Sequence, residues 1–469
     1  MIKDLLENSL KTLNILHMKK YINFKILLSF LAIGFVACDD NLDVEPEQNL
    51  SPDVATETPA NIKTILNNIY GEARQSVSYG GGIGMASELL ANSGDLSWNG
   101  TFVAPGEYNE KALLSDNTFV RDIWLNAYEI NNQVNIVLDN LDVFEDEEDR
   151  ATTEGEAKFL RGLAYFDLVR LFAKPYVPGQ ANSQLAVPII LEPVLDASII
   201  TYPPRNTVDE VYALVISDLT EAYELLPPSN SYFADKYSAQ ALLARVYLQR
   251  GEYEKARNAA DDVIENSGAE LAATFADAFN NSENSTEDLF AMQVTSQDDS
   301  GNSWNTYWAG RDFGGRIGNP DISILEPHFE KYDDPDDDRA NFFYTTSRGT
   351  ATTKWQNQFG NIPVIRLAEM YLIRAEANQR LSTTVGATPL EDINRLRARA
   401  NASLLSAVTL DVILMERQRE LAFEGHALFD AKRLGRDIGA IAFNADRLVL
   451  PIPLRERDAN PTLEQNPGY

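Results

Sequence analysis

The chain has 469 residues, 44% of them hydrophobic, and 40 Lys and Arg against 70 Asp and Glu give it a formal net charge of −30. This acidity argues against nucleic acid or an anionic surface as the main partner, and it is typical of a solubilising surface. The single cysteine excludes an intrachain disulfide and a cysteine-based metal cluster.

The N-terminal segment has the features of an export signal. Three lysines within residues 19–25 precede an apolar run at residues 26–37, which has the length of a secretory signal core and is short for a bilayer span. The only cysteine, Cys38, follows at once, and residues 35–38 (FVAC) resemble a bacterial lipobox. We predict a signal peptide over residues 1–37 and lipidation of Cys38; a buried strand with an incidental cysteine is the alternative.

The start and the continuation of this segment carry two further predictions. Met18 begins a signal of normal length, so it is a candidate for the true start. The acidic and polar residues 38–58 predict an extended, flexible tether.

Helical periodicity of apolar residues begins after this tether. It predicts helices over residues 58–74, 120–141, 156–172 and 208–226. The glycine run at residues 80–84 lacks the preceding strand and the following Lys-Ser/Thr of a phosphate-binding loop, so it predicts a flexible loop. Residues 89–102 predict a polar loop that carries Trp98.

Residues 238–265 have the pattern of one complete helix-turn-helix repeat. Small and apolar residues recur at helical spacing in both halves, and Gly251 between them can adopt a positive φ. The order of small residues and tyrosines follows the tetratricopeptide pattern, in which two antiparallel helices approach closely. Because one such unit cannot bury its own face, we expect further units in the chain.

The last part of the chain alternates between an irregular and a helical character. Residues 268–360 are rich in Asn, Ser, Asp, Gly and aromatics, which predicts a second, irregular subregion that rests on the helices. Helical periodicity then returns over residues 362–381, 390–400, 410–423 and 426–434.

A series of motifs occurs in the order found in one known family. They stand at residues 155–165 (GEAKFLRGLAY), 172–176 (FAKPY), 364–377 (VIRLAEMYLIRAEA), 393–397 (INRLR), 416–425 (ERQRELAFEG), 429–435 (FDAKRLG), 450–453 (LPIP) and 465–469 (QNPGY). Together they resemble the SusD/RagB family of outer-membrane nutrient-binding lipoproteins, and the resemblance runs from Cys38 to Tyr469.

The resemblance implies an α-dominated fold with about four tetratricopeptide-like units and an irregular binding region. It divides the mature chain into an N-terminal helical part (59–267), the irregular region (268–360) and a C-terminal helical part (361–469). It also implies a protein without catalytic activity or cofactor, held by its lipid on the outer membrane and facing the cell exterior. Such a protein captures an oligosaccharide and delivers it to a TonB-dependent SusC-like transporter.

Aromatic rings flanked by amide, acidic or guanidinium groups are the candidates for saccharide contact. Sugar recognition needs flat aromatic faces and polar side chains that pair with hydroxyl groups. Within residues 89–102 and 303–312 the candidates are Trp98, Asn99, Trp304, Asn305, Tyr307, Trp308, Arg311 and Asp312. For Trp304 and Trp308, anchoring of the irregular region onto the helices is the alternative.

Other conspicuous residues receive different interpretations. Trp124 lies in a helical stripe and is expected in the core, while Tyr79 and Trp355 are weaker ligand candidates. Residues 333–339 (DDPDDDR) depart from the EF-hand pattern, so a structural turn is favoured over a calcium site. The three histidines are too far apart in sequence to predict a metal or catalytic centre.

Two other functions remain as alternatives at this point. One is a surface glycoside hydrolase, since a chain with 70 carboxylates contains many pairs that could face each other. The sequence lacks the strand patterns of a barrel or sandwich, which argues against it. The other is a peptide-binding or protein-binding scaffold, a common role of helical repeats.

Overall fold

The computed structural model describes residues 52–196, 199–297, 302–316 and 320–469. The chain forms two compact units, residues 1–55 and residues 56–469. The first unit is described only at a short helix, Pro52–Ala55. The predicted signal peptide, Cys38 and most of the tether lie outside the described residues. Nowhere in the described ranges is a helix both long and apolar enough to cross a membrane.

Helices dominate the second unit, as the periodicity predicts. In its first half they are α1 (Pro59–Ala73), α2 (Gly82–Ala91), α3 (Val103–Glu110), α4 (Thr118–Asp139), α5 (Glu147–Phe172), α6 (Val208–Leu225), α7 (Lys236–Gln249) and α8 (Tyr253–Asn266). In its second half they are α9 (Ser303–Trp308), α10 (Glu326–Phe329), α11 (Leu367–Leu381), α12 (Pro389–Arg399), α13 (Leu410–Glu420), α14 (Ala427–Arg433) and α15 (Leu454–Ala459).

The strands are short and form two small antiparallel sheets. They are β1 (Leu96–Trp98), β2 (Asp288–Met292), β3 (Ile322–Ile324), β4 (Phe343–Thr346), β5 (Gly349–Thr352) and β6 (Ile362–Arg366). One sheet has the order β1-β3-β5-β4, and the other pairs β2 with β6. All strands except β1 and β6 lie within the region that the sequence predicts to be irregular.

Successive helices pack side by side into a repeat array. Helix α4 packs on α1 and α5, α5 on α6, α6 on α7, α7 on α8, and α8 on α11, which also contacts α12 and α13. The helix-turn-helix predicted at residues 238–265 is the hairpin of α7 and α8, and Gly251 between them has φ 71°. A Cβ at Gly251 would lie 2.8 Å from Pro178 Cγ, so glycine serves both the turn and the packing.

Helix α5 is longer than the prediction of residues 156–172. It begins at Glu147 because the Asp146 side chain accepts hydrogen bonds from the backbone N–H groups of Glu148 and Asp149. Three acidic residues in the first turn favour this start electrostatically. Because the first turns are polar and carry no apolar stripe, apolar periodicity does not predict them.

The glycine run at residues 80–84 is not the flexible loop that we predict from the sequence. It is buried and leads into helix α2. A Cβ at Gly80 would lie 2.4 Å from the Arg74 carbonyl oxygen, and one at Gly82 would lie 2.4 Å from that of Val77. The glycines are therefore required by close backbone packing rather than by mobility.

Two further segments are more regular than predicted, one in the predicted polar loop at residues 89–102 and one in the predicted irregular region. Trp98 ends a strand, because β1 pairs with β3 in the register Trp98 to Ile322. Trp304 and Trp308 lie on helix α9, whose N-cap Asn302 accepts a hydrogen bond from the Asn305 backbone N–H at 3.3 Å. The predicted core position of Trp124 is confirmed, since 2% of its surface is exposed.

Candidate functional site

Trp98 is a partly exposed indole held between glycines. A Cβ at Gly100 would lie 2.3 Å from Cζ2 of the indole, and one at Gly106 would lie 3.4 Å from its Nε1. Gly100 therefore has to lack a side chain for the ring to lie where it does, whereas the distance at Gly106 is an ordinary van der Waals contact. Its ring centroid is 6.2 Å from that of Tyr307, at an interplanar angle of 46°.

Asn99 follows strand β1 and connects it to strand β3. Its backbone N–H donates to the Asp321 carbonyl oxygen at 2.6 Å, and its side-chain Nδ2 donates to Ser323 Oγ at 2.6 Å. Its Oδ1 accepts a hydrogen bond from Ser97 Oγ at 3.1 Å. Because these polar groups are engaged within the protein, Asn99 positions the end of β1 next to Asp321.

Tyr307 is the buried wall behind Trp98. It is 9% exposed, and its ring lies 6.5 Å from that of Phe119 on helix α4 in an edge-on arrangement. Burial raises the pKa of the Tyr307 hydroxyl, so the group stays protonated and can donate a hydrogen bond.

Trp304 and Trp308 are core residues of the interface between the irregular region and the helices. They are 5% and 1% exposed, respectively. Trp304 stacks on Trp355, and Trp308 lies 5.1 Å from Phe423. A Cβ at Gly84 would lie 2.0 Å from the Trp304 ring, which leaves no room for a ligand on that side. This burial favours the anchoring alternative for both tryptophans and corrects their place in the ligand set.

Asn305 is also internal and joins two loops. It is 0% exposed, and its Nδ2 donates to the carbonyl oxygens of Phe313 at 2.9 Å and Trp355 at 2.8 Å. These bonds assign it a role in positioning the loops, and its burial removes it from direct ligand contact.

Arg311 and Asp312 are exposed on a 3₁₀ turn, Arg311–Phe313. The neighbouring Phe313 ring is 40% exposed and lies 5.1 Å from that of Tyr344. The Tyr344 hydroxyl accepts a hydrogen bond from the Gly310 backbone N–H at 2.7 Å, which fixes the start of the turn. The turn therefore presents both charged side chains and an aromatic ring to solvent.

Three residues that sequence analysis missed complete the surroundings of Trp98. Phe102 is 43% exposed, and the Arg316 guanidinium lies 4.0 Å from its ring centroid. Arg316 Nε is 3.2 Å from Asp321 Oδ2, and Asp321 is 4% exposed. Phe102 adjoins the Trp98 segment and could have been found by its position, whereas the pairing of Arg316 with Asp321 has no local sequence signal.

We call the set of Trp98, Phe102, Tyr307, Arg316 and Asp321 the Trp98 face. Burial raises the pKa of the Asp321 carboxyl, and the nearby guanidinium of Arg316 opposes that effect. Aromatic rings beside a guanidinium and a carboxyl combine apolar contact area with strong hydrogen-bonding groups of both kinds. Chemically, this arrangement suits a ligand with apolar faces and a rim of hydroxyl groups.

Other predicted features take structural positions. Tyr79 is buried and donates from its hydroxyl to Asp167 Oδ2 at 2.8 Å. The acidic stretch at residues 333–339 forms a turn, in which Asp337 Oδ2 pairs with Arg339 Nη2 at 2.7 Å. Arg339 also pairs with Glu416 at 2.8 Å, so the contacts favour the structural-turn interpretation.

Family models match the chain in two overlapping parts. A model described as "Starch-binding associating with outer membrane" matches residues 40–248, and the "SusD family" model matches residues 228–439. Together the matches run from residue 40 to residue 439.

Individual relatives agree with these matches. SusD-like protein P2 of Formosa agariphila is 28% identical, and the alignment covers 96% of this chain and 100% of that protein. The starch-binding protein SusD of Bacteroides thetaiotaomicron is 32% identical over 148 residues, 26% of each chain.

Solved structures share the fold over most of its length. A putative sugar binding protein from Bacteroides vulgatus has a TM-score of 0.77 and 29% identity, covering 88% of this chain and 99% of that one. A SusD superfamily protein from Bacteroides thetaiotaomicron has a TM-score of 0.77 and 26% identity, covering 87% and 100%. With the predicted motifs, the helical repeat fold and the two family matches in agreement, this chain belongs to the SusD/RagB family.

Proposed function

We propose that this protein is a cell-surface lipoprotein that captures an oligosaccharide at the Trp98 face and delivers it, uncleaved, to a SusC-like TonB-dependent transporter. The observation that carries the proposal is the partly exposed Trp98 indole, which packs on Tyr307. The next residue, Asn99, bonds to the backbone of Asp321, the partner of Arg316. The matching family model and two of the relatives support it, because they are named for starch or sugar binding.

The chemistry of the Trp98 face fits a sugar ring. The indole face of Trp98 provides a flat surface for the C–H groups of a pyranose or furanose. The partly exposed Arg316 guanidinium can donate to sugar oxygens, and the buried Asp321 carboxyl holds it in place from within the protein. Phe102, over which the Arg316 guanidinium lies, extends the surface available to a longer chain, and the exposed turn Arg311–Phe313 is a further candidate for contact.

Binding is tested with the purified protein in affinity electrophoresis against a panel of polysaccharides. We expect retardation by at least one glycan, and Trp98→Ala should weaken that binding by about 1–3 kcal/mol. Tyr202→Ala is the matched control, because Tyr202 is a 53% exposed aromatic residue outside the Trp98 face. Retardation by no glycan, together with binding of peptides, would favour the scaffold alternative.

A hydrolysis assay with the purified protein tests whether it binds the glycan without cleaving it. Asp321 is a carboxyl group with a raised pKa, the property that a glycosidase general acid needs, so hydrolysis has to be examined directly. Incubation with the bound glycan should release no product. Product release that Asp321→Asn abolishes would contradict our proposal and support the hydrolase alternative.

The lipid anchor and the transporter are tested in cells. Cys38 should incorporate a labelled fatty acid, and Cys38→Ser should abolish the label and release the protein from outer membranes. The tagged protein, extracted from outer membranes in mild detergent, should copurify with a TonB-dependent barrel. Intact lipidation without any such barrel would argue against delivery to a transporter.

A further inference from the structure

A cavity of about 610 Å³ lies away from the Trp98 face and shares no lining residue with it. Its walls come from helix α1, the first turns of helix α5, the loop at residues 230–233 and the end of strand β2. The volume falls within the range typical of small-molecule sites, about 300–1,000 Å³. The cavity therefore has the dimensions of a ligand site.

An exposed aromatic ring stands at its rim. Tyr232 is 51% exposed, and its ring centroid is 4.5 Å from that of Phe233, which in turn lies 5.0 Å from Tyr70. The preceding residue, Ser231, has φ 57°, a left-handed conformation that non-glycine residues seldom adopt. The chain thus accepts local strain where it turns to present Tyr232, a pattern found at ligand-contacting loops.

Behind this ring lies a fixed polar network. The buried Glu156 carboxylate accepts hydrogen bonds from the Tyr70 hydroxyl at 2.7 Å and from Asn230 Nδ2 at 2.9 Å. Asn230 Nδ2 also donates to the Ala234 carbonyl oxygen at 3.0 Å. Both amide hydrogens of Asn230 are therefore engaged. Within the described residues no group donates to its Oδ1, which can accept a hydrogen bond from a ligand.

Gly71 on helix α1 has no explanation in the packing of the fold. It lies inside the helix, where glycine is about 1 kcal/mol less favourable than alanine. A Cβ at this position would meet nothing within 4 Å, and the residue lines the cavity. The missing side chain keeps the helix surface recessed at this point, which widens the cavity.

The charges that line the cavity balance. Lys63 Nζ pairs with Asp149 Oδ2 at 2.9 Å, and the remaining cation and carboxylate are Arg74 and Glu156. A site with equal numbers of each sign has no overall preference for anionic ligands. An aromatic rim, amide groups and no net charge together match a neutral sugar.

We propose that this cavity is a second saccharide site, which binds a neutral pyranose unit against Tyr232 with Asn230 Oδ1 as a hydrogen-bond acceptor. The inference rests on the proposed capture of saccharide, and it adds a contact for a second sugar molecule or for a distant part of a long glycan.

The experiment is a calorimetric titration of the mature protein with cellohexaose, maltohexaose, laminarihexaose, xylohexaose and mannohexaose. We expect two independent sites for at least one sugar. Trp98→Ala should weaken one of them about ten-fold or more, and Tyr232→Ala should weaken the other by a similar factor. Gly71→Trp, which fills the recess from a position that tolerates a side chain, should remove the same site as Tyr232→Ala.

Matched controls separate this site from general effects of mutation. Tyr202→Ala removes an equally exposed tyrosine elsewhere, and Thr64→Trp adds an indole to an exposed position of the same helix. Neither should change either site. Salt up to 0.5 M should leave the affinity of the Tyr232 site unchanged, because a neutral ligand has no counterion-dependent contribution.

The outcomes distinguish the two proposals. One site that Trp98→Ala abolishes and that Tyr232→Ala and Gly71→Trp leave intact overturns the second site while the proposed function stands. Binding of none of these sugars at the Tyr232 site overturns the second site, and the proposed function is then decided separately by the affinity electrophoresis described above. Short peptides that bind in a Tyr232-dependent manner, where no sugar does, would identify the cavity as a peptide site and refute our assignment.

Discussion

The indole rings of Trp304 and Trp355 stack face to face, with centroids 4.6 Å apart and an angle of 17° between the planes. Trp355 also donates from its Nε1 to the Phe423 carbonyl oxygen at 3.0 Å, which ties the pair to the segment after helix α13. The stack therefore joins the irregular region to the helical array, and its ring faces are used within the protein.

Trp304→Ala should destabilise the fold and leave the saccharide site unchanged. Removal of a buried aromatic side chain usually costs about 3–5 kcal/mol in the free energy of unfolding. Urea denaturation measures this loss, and binding per folded molecule should equal that of the wild type. A stable Trp304→Ala protein with weakened glycan binding would return Trp304 to the ligand set.

Gly84 and Gly71 form a matched pair with opposite expected effects. Gly84→Ala should lower the free energy of unfolding by about 1–3 kcal/mol, because the added methyl group would overlap the Trp304 ring. Gly71→Ala should raise it by about 0.5–1 kcal/mol, because the helix gains propensity and nothing is displaced. Thermal unfolding of both variants tests the pair, and equal signs would contradict our account of the two helices.

Glu88 makes stability fall as the pH rises. Burial raises the pKa of Glu88 to about 7, although its carboxylate accepts a hydrogen bond from the Gly425 backbone N–H at 2.9 Å. The folded state therefore holds a proton that the unfolded state releases near pH 4.5, and this contribution is lost as the pH rises through 7.

Glu88→Gln removes this dependence while keeping an oxygen that can accept from Gly425. We expect the variant to exceed the wild type by up to about 3 kcal/mol in unfolding free energy at pH 8 and to match it at pH 4. Burial also raises the pKa of Asp288 to about 7. Asp288 therefore contributes the same pH dependence of the unfolding free energy in both proteins. Parallel pH profiles for the two proteins would refute this assignment.

Glu420 has the opposite dependence. Burial by itself would raise its pKa, but Arg399, Arg366 and Arg339 around it lower the pKa to about 2. Stability from this carboxylate is present above about pH 4.5 and is lost as the pH falls towards 2. Glu420→Gln removes the carboxylate that these three buried guanidinium groups share, although each keeps another acidic partner. Because the buried positive charges then lose part of their compensation, we expect a loss of about 3–5 kcal/mol at pH 7.

A control separates this cluster from surface charge. Glu254→Gln changes a carboxylate that is 77% exposed and should alter the free energy of unfolding by less than about 0.5 kcal/mol. The two variants are compared by denaturation with urea. Urea is uncharged, so it does not screen the ion pairs as guanidinium chloride would. A Glu420→Gln protein as stable as Glu254→Gln would mean that the buried charges do not depend on one another.

Much of the helical array follows from the sequence because helical periodicity is a local property. The hairpin around Gly251 and the core position of Trp124 could be read from spacing alone. The motifs at residues 155–165 and 364–377 specify the family in the same local way. Helix α5 was only partly predictable, since its first turns are held by capping and charge rather than by an apolar stripe.

Only the tertiary structure decides which aromatic residues face a ligand. Trp98 and Trp304 have similar polar neighbours in sequence, yet one ends a strand with its ring partly exposed, and the other is stacked in the core. The pairing of Arg316 with Asp321 next to Phe102 depends on where β3 meets β1. Sequence determined the repeats and the family, whereas exposure and long-range pairing depend on contacts between distant segments, which local periodicity does not contain.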